Sequence, residues 1–402
     1  MHKMTDSHTE DHHPRAYRGD LPASGAWQPG DAFGTRKFAS VVTGHPFVFA
    51  SGAALDELTV AYESWGELNA DRSNAVLVCH ALTGDSHASG ESTPDEPTAG
   101  WWDVVIGPGK AIDTDEYFVV CANVVGGCQG TTGPASINPE TGRPYGPDFP
   151  VVTIRDIVRV QSHLADALEI DAWRAVVGGS MGGMQVLEWG LMYPDRVKAL
   201  GVIASTMAAS AQQIAWSAVG RTALALDPRF RGGHYYDAAP GDGPYAGLAI
   251  ARAIAQITYR TESVLEDRFG RDLIDPSALY GLWDRFQVEG YLDYHGEKLV
   301  RRFDANSYLL LNRSMDIHDV GRGRGGLKRA MSRLRAPIVT LGLSTDTLYP
   351  PHQQSDIADL VRSQGGTADH FTVDTPHGHD GFLLAVDGVE EALRRTIKFG
   401  EG

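Results

Sequence analysis

Apolar and polar positions fall into two alternating rhythms from Lys37 onward. KFASVV and HPFVFASG predict short strands, and ELTVAYESWG predicts another with alternating polarity. SNAVLVCHALTG holds a continuously apolar run from Ala75 to Cys79, and EYFVVCANVVGG holds a second. A strand that is apolar at every position has both faces covered, which puts these two near the centre of a sheet. The spacing then changes. In TIRDIVRVQSHLADALEI, Ile154, Ile157, Val158, Gln161, Leu164 and Leu168 recur at helical intervals. WRAVVGGS reads as a strand ending in glycines, MGGMQVLEWGLMYP as a helix stopped near Pro194, and KALGVIAS as a further strand. Strands alternating with helices predict an α/β fold, a mostly parallel central sheet flanked by helices.

The alternation stops after Ser205. From Met207 to about Arg324 the pattern is helical, broken at Asp227–Pro228, Gly232–Gly233, Pro240–Pro244 and Asp275–Pro276. APIVTLGLSTD restores a strand, QQSDIADLVRSQG is a helix, DHFTVDT is a last strand, and GVEEALRRTIKF closes the chain as a helix. The economical reading is one α/β domain, 35–206 and 326–402, interrupted by a helical insertion at 207–325. Residues 1–34 are expected to form a disordered polar tail whose histidines have no structural task.

Composition narrows the function. The chain has 402 residues, 42% of them hydrophobic, and a formal net charge of −16. Such an acidic balance argues against nucleic acid or an anionic membrane as partner. No apolar stretch approaches the roughly 20 residues that span a bilayer. The amino terminus lacks the apolar core of a signal peptide, so a cytoplasmic location is expected. Three cysteines, Cys79, Cys121 and Cys128, are too few for a disulfide framework. Cys128 stands in a glycine-rich loop with no base placed beside it, which favours an inert thiol. No His, Cys or Asp cluster has ligand spacing, so no metal is expected.

Gly178-Gly179-Ser180-Met181-Gly182 matches G-x-S-x-G, with an apolar strand before it and a helix after it. That context is the nucleophile turn of the α/β-hydrolase fold. A serine hydroxyl needs a base to take its proton. In this fold the chain order is Ser, acid, His, with the His after the last strand. His377 and His379 in PHGHDGFL both qualify; a preceding Gly and a following apolar helix start favour His379. Asp346, after IVTLGLST, is the preferred acid, and Asp374 is the alternative. The oxyanion donors fall by topology on the amides of Leu82, after the early buried strand, and Met181, after the nucleophile. His80 is expected to be a structural imidazole.

Taken together, SNAVLVCHALTGDSHASG, CANVVGGCQGTTGPAS, VVGGSMGGMQVLEW, ARAIAQITYR and HGHDGFL resemble the homoserine O-acetyltransferases, the MetX-type acyl-CoA-dependent family of methionine biosynthesis. The resemblance runs from about residue 35 to the end. It implies an α/β-hydrolase domain with a helical lid, a homodimer formed through the lid, and acetyl-CoA as co-substrate with no bound cofactor. It implies a triad of Ser180, Asp346 and His379, and acceptor-binding residues Arg252, Tyr259 and Asp380. Tyr349 and Gly381 depart from the Phe and Ala common at those places, outside the triad. The chemistry agrees. A guanidinium binds the homoserine carboxylate bidentately, and a carboxylate pairs with its ammonium. Arg252 and Tyr259 stand about two helical turns apart and so share a face. No phosphate-binding loop for CoA is recognisable.

A Ser-His-Asp site does not by itself choose its acceptor. Water and homoserine compete for one acyl-enzyme, and transfer wins where the site excludes water and holds the hydroxyl in line. The insertion is large enough to be the covering lid. A homoserine or serine O-succinyltransferase, an esterase and a catalytically silent binding protein remain as alternatives.

Overall fold

The computed structural model describes residues 21–401 apart from 33, 42–43, 94–97 and 278. Its centre is an eight-stranded sheet. The strands are β1 (Lys37–Ser40), β2 (Thr59–Trp65), β3 (Ala75–Cys79), β4 (Phe118–Ala122), β5 (Ala175–Gly179), β6 (Leu200–Ile203), β7 (Ile338–Leu343) and β8 (Ala368–Val373). Their order across the sheet is β1-β2-β4-β3-β5-β6-β7-β8. The first two pairings are antiparallel, and all those from β4 to β8 are parallel. HPFVFASG contributes only the two-residue strand Phe47–Val48, outside this sheet.

The continuously apolar runs are explained by burial on both faces. Leu77, Val176, Val202 and Ile338 join one hydrophobic cluster, with Ile157 and Leu164 of α1 (Ile154–Ala167) and Leu187 of α2 (Met181–Met192). Their neighbours Val76, Val177, Ile203 and Val339 join the opposite cluster. Successive side chains of a strand point to opposite faces, so a strand feeding two cores must be apolar throughout. Helix α1 starts on a capping box in which Thr153 and Asp156 satisfy each other's backbone amides.

Between β6 and β7 stand α3 (Ala211–Leu226), α4 (Tyr245–Tyr259), α5 (Glu262–Phe269), α6 (Gln287–Val300) and α7 (Ala305–Asp316). Helix α4 packs against both α3 and α6. After β7 come α8 (His352–Ser363), then β8, then α9 (Val386–Gly400), whose Val389, Leu393 and Ile397 close the second cluster.

The expected polar tail needs correction. Residues 1–20 lie outside the described residues, but the segment after them is packed. Ala23 and Ala26 are buried. Ser24 Oγ donates to Asp304 Oδ1 at 2.7 Å, and the Tyr245 hydroxyl donates to the carbonyls of Leu21 and Pro22. Small and apolar side chains there leave little polar surface to hide, and the backbone carbonyls find a donor. The packed body thus includes residues from 21 onward, ahead of the expected boundary at 35.

Candidate active site

Strand β5 runs into α2 through Ser180, which has φ 57° and ψ −123°. A non-glycine residue in that region costs on the order of 1–3 kcal/mol and persists only where its surroundings hold it. Here the Ser180 amide donates to the Ile203 carbonyl at 2.9 Å, and Ser205 Oγ donates to the Ser180 carbonyl at 2.7 Å. The turn also requires Gly182, where a Cβ would stand 2.1 Å from the Cys79 carbonyl oxygen. The result is a hydroxyl at the N-terminus of a 12-residue helix, whose first amides have no intrahelical acceptor.

His379 comes to this hydroxyl from beyond β8. Its Nε2 lies 2.8 Å from Ser180 Oγ, and its Nδ1 lies 2.7 Å from Asp346 Oδ2. The other carboxylate oxygen, Oδ1, accepts the amides of Leu348 at 2.9 Å and Tyr349 at 2.8 Å. With both oxygens engaged, Asp346 fixes the imidazole with Nδ1 as donor and Nε2 as acceptor toward the serine. All three residues are nearly closed to water, at 6% for Ser180, 3% for Asp346 and 2% for His379. The Tyr349 ring stacks on the imidazole at 4.9 Å, and the Phe382 and Tyr259 rings lie 5.4 and 5.7 Å away.

Neither alternative member of the triad is in place. His377 makes no contact with Ser180 among the described residues, and its Nδ1 is buried without a hydrogen-bond partner. Asp374 accepts from Ser344 Oγ at 2.8 Å and is exposed. His80 stands within the loop after β3. Its Nδ1 lies 2.8 Å from the Ala81 carbonyl while Nε2 accepts the Val124 amide at 3.1 Å, and burial lowers its pKa. A neutral imidazole with both nitrogens used ties two loops together. Burial pushes the Cys128 thiol up to about 12, which leaves it a poor nucleophile.

Ser180 and His379 open into a cavity of about 140 Å³, shared with Leu82, Thr83, Trp101, Arg252, Tyr259, Asp380, Phe382 and Leu383 among others. The two elements facing each other across it are the β3 loop and α4. Arg252 Nη1 donates to Thr83 Oγ1 at 3.3 Å, and its guanidinium lies 5.4 Å over the Tyr259 ring. A second arginine anchors the β3 loop, since Arg302 donates to the Thr83 carbonyl at 2.8 Å and pairs with Asp85. Asp380 is paired with Arg260, Nε to Oδ2 3.1 Å.

Of the residues expected at the site, Leu82, Ser180, Arg252, Tyr259, His379 and Asp380 line this one cavity, and Asp346 stands behind His379. Missed were Tyr349 and Phe382 as the rings flanking the base, Trp101 and Leu383 as walls, and Arg260, Arg302 and Thr83 as partners of site groups. The rings had a local signal, each standing three residues after Asp346 or His379. The arginines had none, because their partners are remote in sequence. Among the described residues, no group of three or more His, Cys, Asp or Glu side chains is placed to hold a metal ion. Nor is any helix long and apolar enough to cross a membrane.

Known proteins share this arrangement of chain. A family model for the alpha/beta hydrolase fold matches residues 74–385. A homoserine O-acetyltransferase from Thermobifida fusca is 50% identical, covering 94% of this chain and 97% of its own. A homoserine O-succinyltransferase from Hahella chejuensis is 47% identical over 84% of this chain and 88% of its own. The crystal structure of a homoserine O-acetyltransferase from Bacillus anthracis superposes with a TM-score of 0.83 at 29% identity, covering 90% of this chain and 98% of that one. On fold and sequence alike, the chain belongs to the homoserine O-acetyltransferase family of α/β-hydrolase-fold proteins.

Proposed function

We propose that this chain transfers an acetyl group from acetyl-CoA to the hydroxyl of L-homoserine, through an acyl-enzyme on Ser180, giving O-acetyl-L-homoserine and CoA. The observation that carries the reading is the unbroken Asp346–His379–Ser180 chain of hydrogen bonds opening into the cavity that Arg252 lines. The identity to the Thermobifida fusca homoserine O-acetyltransferase supports the choice of acceptor and donor.

In the first half-reaction, His379 Nε2 takes the Ser180 proton as Oγ attacks the thioester carbonyl. The oxyanion is met by the amides of Leu82 and Met181. On collapse the C–S bond breaks and the imidazolium returns its proton to the thiolate, so CoA leaves as a thiol. In the second half-reaction, the homoserine hydroxyl gives its proton to His379 and attacks the ester carbon. Collapse releases the Ser180 oxygen, which takes the proton back. Asp346 keeps the imidazole in one tautomer and stabilises its cation throughout. Arg252 takes the acceptor carboxylate, with Tyr259 beneath the guanidinium and Asp380 toward the ammonium. Acetyl-CoA enters as a co-substrate, and the chemistry calls for no bound cofactor.

The assay is thiol release from acetyl-CoA and from succinyl-CoA, each with and without homoserine. Release from acetyl-CoA that rises strongly with homoserine is the expected result. Full-rate release without homoserine would make the protein a hydrolase and end the transfer reading. A succinyl donor is the second reading, favoured by the Hahella chejuensis relative, and preferential turnover of succinyl-CoA would select it.

The same reading includes a homodimer through the helical insertion and a cytoplasmic place of work. Leu226 is 77% exposed at the end of α3, and Trp216 and Val219 on α3 and Ile250 and Ile257 on α4 are also uncovered. Large apolar side chains exposed on two helices packed against each other suit an interface. Light scattering is expected to give the dimer mass, and a monomer at assay concentration would remove this part.

A further inference from the structure

Arg252 and Asp380 line the same cavity, and a second guanidinium, that of Arg260, pairs with the carboxylate. Arg252, Gln256 and Arg260 follow at intervals of four along α4 and its C-terminal cap, which puts them on one face. Asp380, next to the base in sequence, lines the same cavity. Arg260 Nε lies 3.1 Å from Asp380 Oδ2, with 17% and 14% of the two side chains exposed. Arg252 makes a different set of contacts, the Thr83 hydroxyl and the Tyr259 ring. No carboxylate among the described residues forms an ion pair with it.

This division of partners has consequences. A carboxylate bound to Arg252 would occupy the planar fork that suits a substrate carboxylate. Asp380 instead spends its charge on Arg260. That 3.1 Å approach lacks the alignment of a hydrogen bond, since Arg260 Nε has no hydrogen-bond partner. Gln256 also hydrogen-bonds to Asp380, and a carboxylate has about four lone-pair sites, so room is left for an incoming N–H donor. The backbone holds the two elements in this relation. Thr261 Oγ1 donates to the Pro376 carbonyl at 2.7 Å. Gly378, with φ +62°, admits the Tyr259 carbonyl oxygen, which a Cβ would meet at 2.8 Å.

We propose that Arg260 is a positioning residue for the acceptor: it holds Asp380 turned toward the homoserine ammonium, and so leaves the Arg252 fork to the homoserine carboxylate. The inference rests on the acyl-transfer reading and adds to it a residue that touches neither reacting atom. Electrostatics point the same way. Burial raises the Asp380 carboxyl above its ordinary value, while Arg260, then His379, Arg252 and the Gln256 amide oppose the rise. Tyr259 also feels Asp380, and His295 on α6 faces both arginines. Removing Arg260 takes away an opposing charge, so Asp380 would protonate at a higher pH. Binding that needs its carboxylate would then fail earlier as pH falls.

The test uses Arg260→Met and Arg260→Lys in the full chain, with two readouts. The first is the burst of CoA release from acetyl-CoA alone, which reports acylation of Ser180. The second is the homoserine KM and the pH profile of kcat/KM for homoserine. In Arg260→Met the burst should stay within about twofold of wild type while the homoserine KM rises about tenfold or more. The acid limb of kcat/KM should move to higher pH relative to that of the burst, and Arg260→Lys should restore most of both. An unchanged homoserine KM, or a Lys variant no better than the Met variant, would overturn the proposal. Should Arg260→Met lose its burst, Arg260→Gln carries the same readouts, and a burst lost in both would mean a merely structural residue. A wild-type protein without any burst would remove the acyl-transfer reading, and this inference with it.

Discussion

Ser180 and Arg252 line one cavity but belong to regions built by different rules. The sheet body is sealed. β3, β5 and β7 are buried along their whole length, and the nucleophile turn is held by main-chain bonds and by glycines that admit no substitute. The helical insertion is looser and partly uncovered, with Tyr280 97% exposed and Leu226 77% exposed. Its contribution to the site comes from side chains on α4 that reach across to the β3 loop. The contrast teaches where each property resides. On the proposed reading, bond-making is fixed by backbone geometry in a rigid frame, whereas the choice of acceptor rests on a few charged side chains presented by a separate layer.

The sharpest way to break this division is Ser180→Ala. If the body alone supplies the chemistry, acetyl transfer should fall by about 10⁴-fold or more, because the members of a triad act as a unit. Turnover near wild type would place the chemistry elsewhere. Asp346→Asn comes next, with a loss of about 10³–10⁴-fold in kcat. The amides of Leu348 and Tyr349 need an acceptor on one side and the His379 Nδ1–H needs one on the other. An amide offers a single oxygen, so one side meets a donor. Normal kcat in that variant would deny the imidazole its orienting partner.

Arg252→Ala probes the insertion. The homoserine KM should rise about 10²-fold while the acetyl-CoA KM moves little, since a charge-assisted bidentate pair contributes about 2–3 kcal/mol. Equal rises in both would contradict the separation of layers. His377→Ala and Tyr349→Phe should change kcat least, within about twofold. Among the described residues no hydrogen bond joins the His377 ring to a triad member, and Phe keeps the ring that stacks on His379. A large loss in the former would reopen the assignment of the base.

Much of the body was legible in the sequence because its signals are local. Both-face burial writes itself as unbroken apolar runs, and a strained turn writes itself as small residues around Ser180. Asp346 was ranked by its place after a strand and His379 by the Gly before it and the apolar helix start after it, and the geometry separates them from Asp374 and His377 through two hydrogen bonds. Residues 21–26 were misread because short, small residues carry no periodic pattern, yet they pack beside Asp304 and Tyr245. Arg260 and Arg302 were invisible for a different reason. Taken alone, a surface arginine and a site arginine look identical, and only the tertiary fold brings Asp380 or Thr83 to them.

The central claim is that Ser180 carries the acyl group between donor and acceptor. Mass spectrometry of the intact protein after mixing with acetyl-CoA, with no homoserine present, tests it most directly. One acetyl group should appear on the peptide containing Ser180, vanish on adding homoserine as O-acetyl-L-homoserine forms, and be absent from Ser180→Ala. An adduct that persists in Ser180→Ala, or product formed with no adduct on Ser180 at any time, would contradict the account.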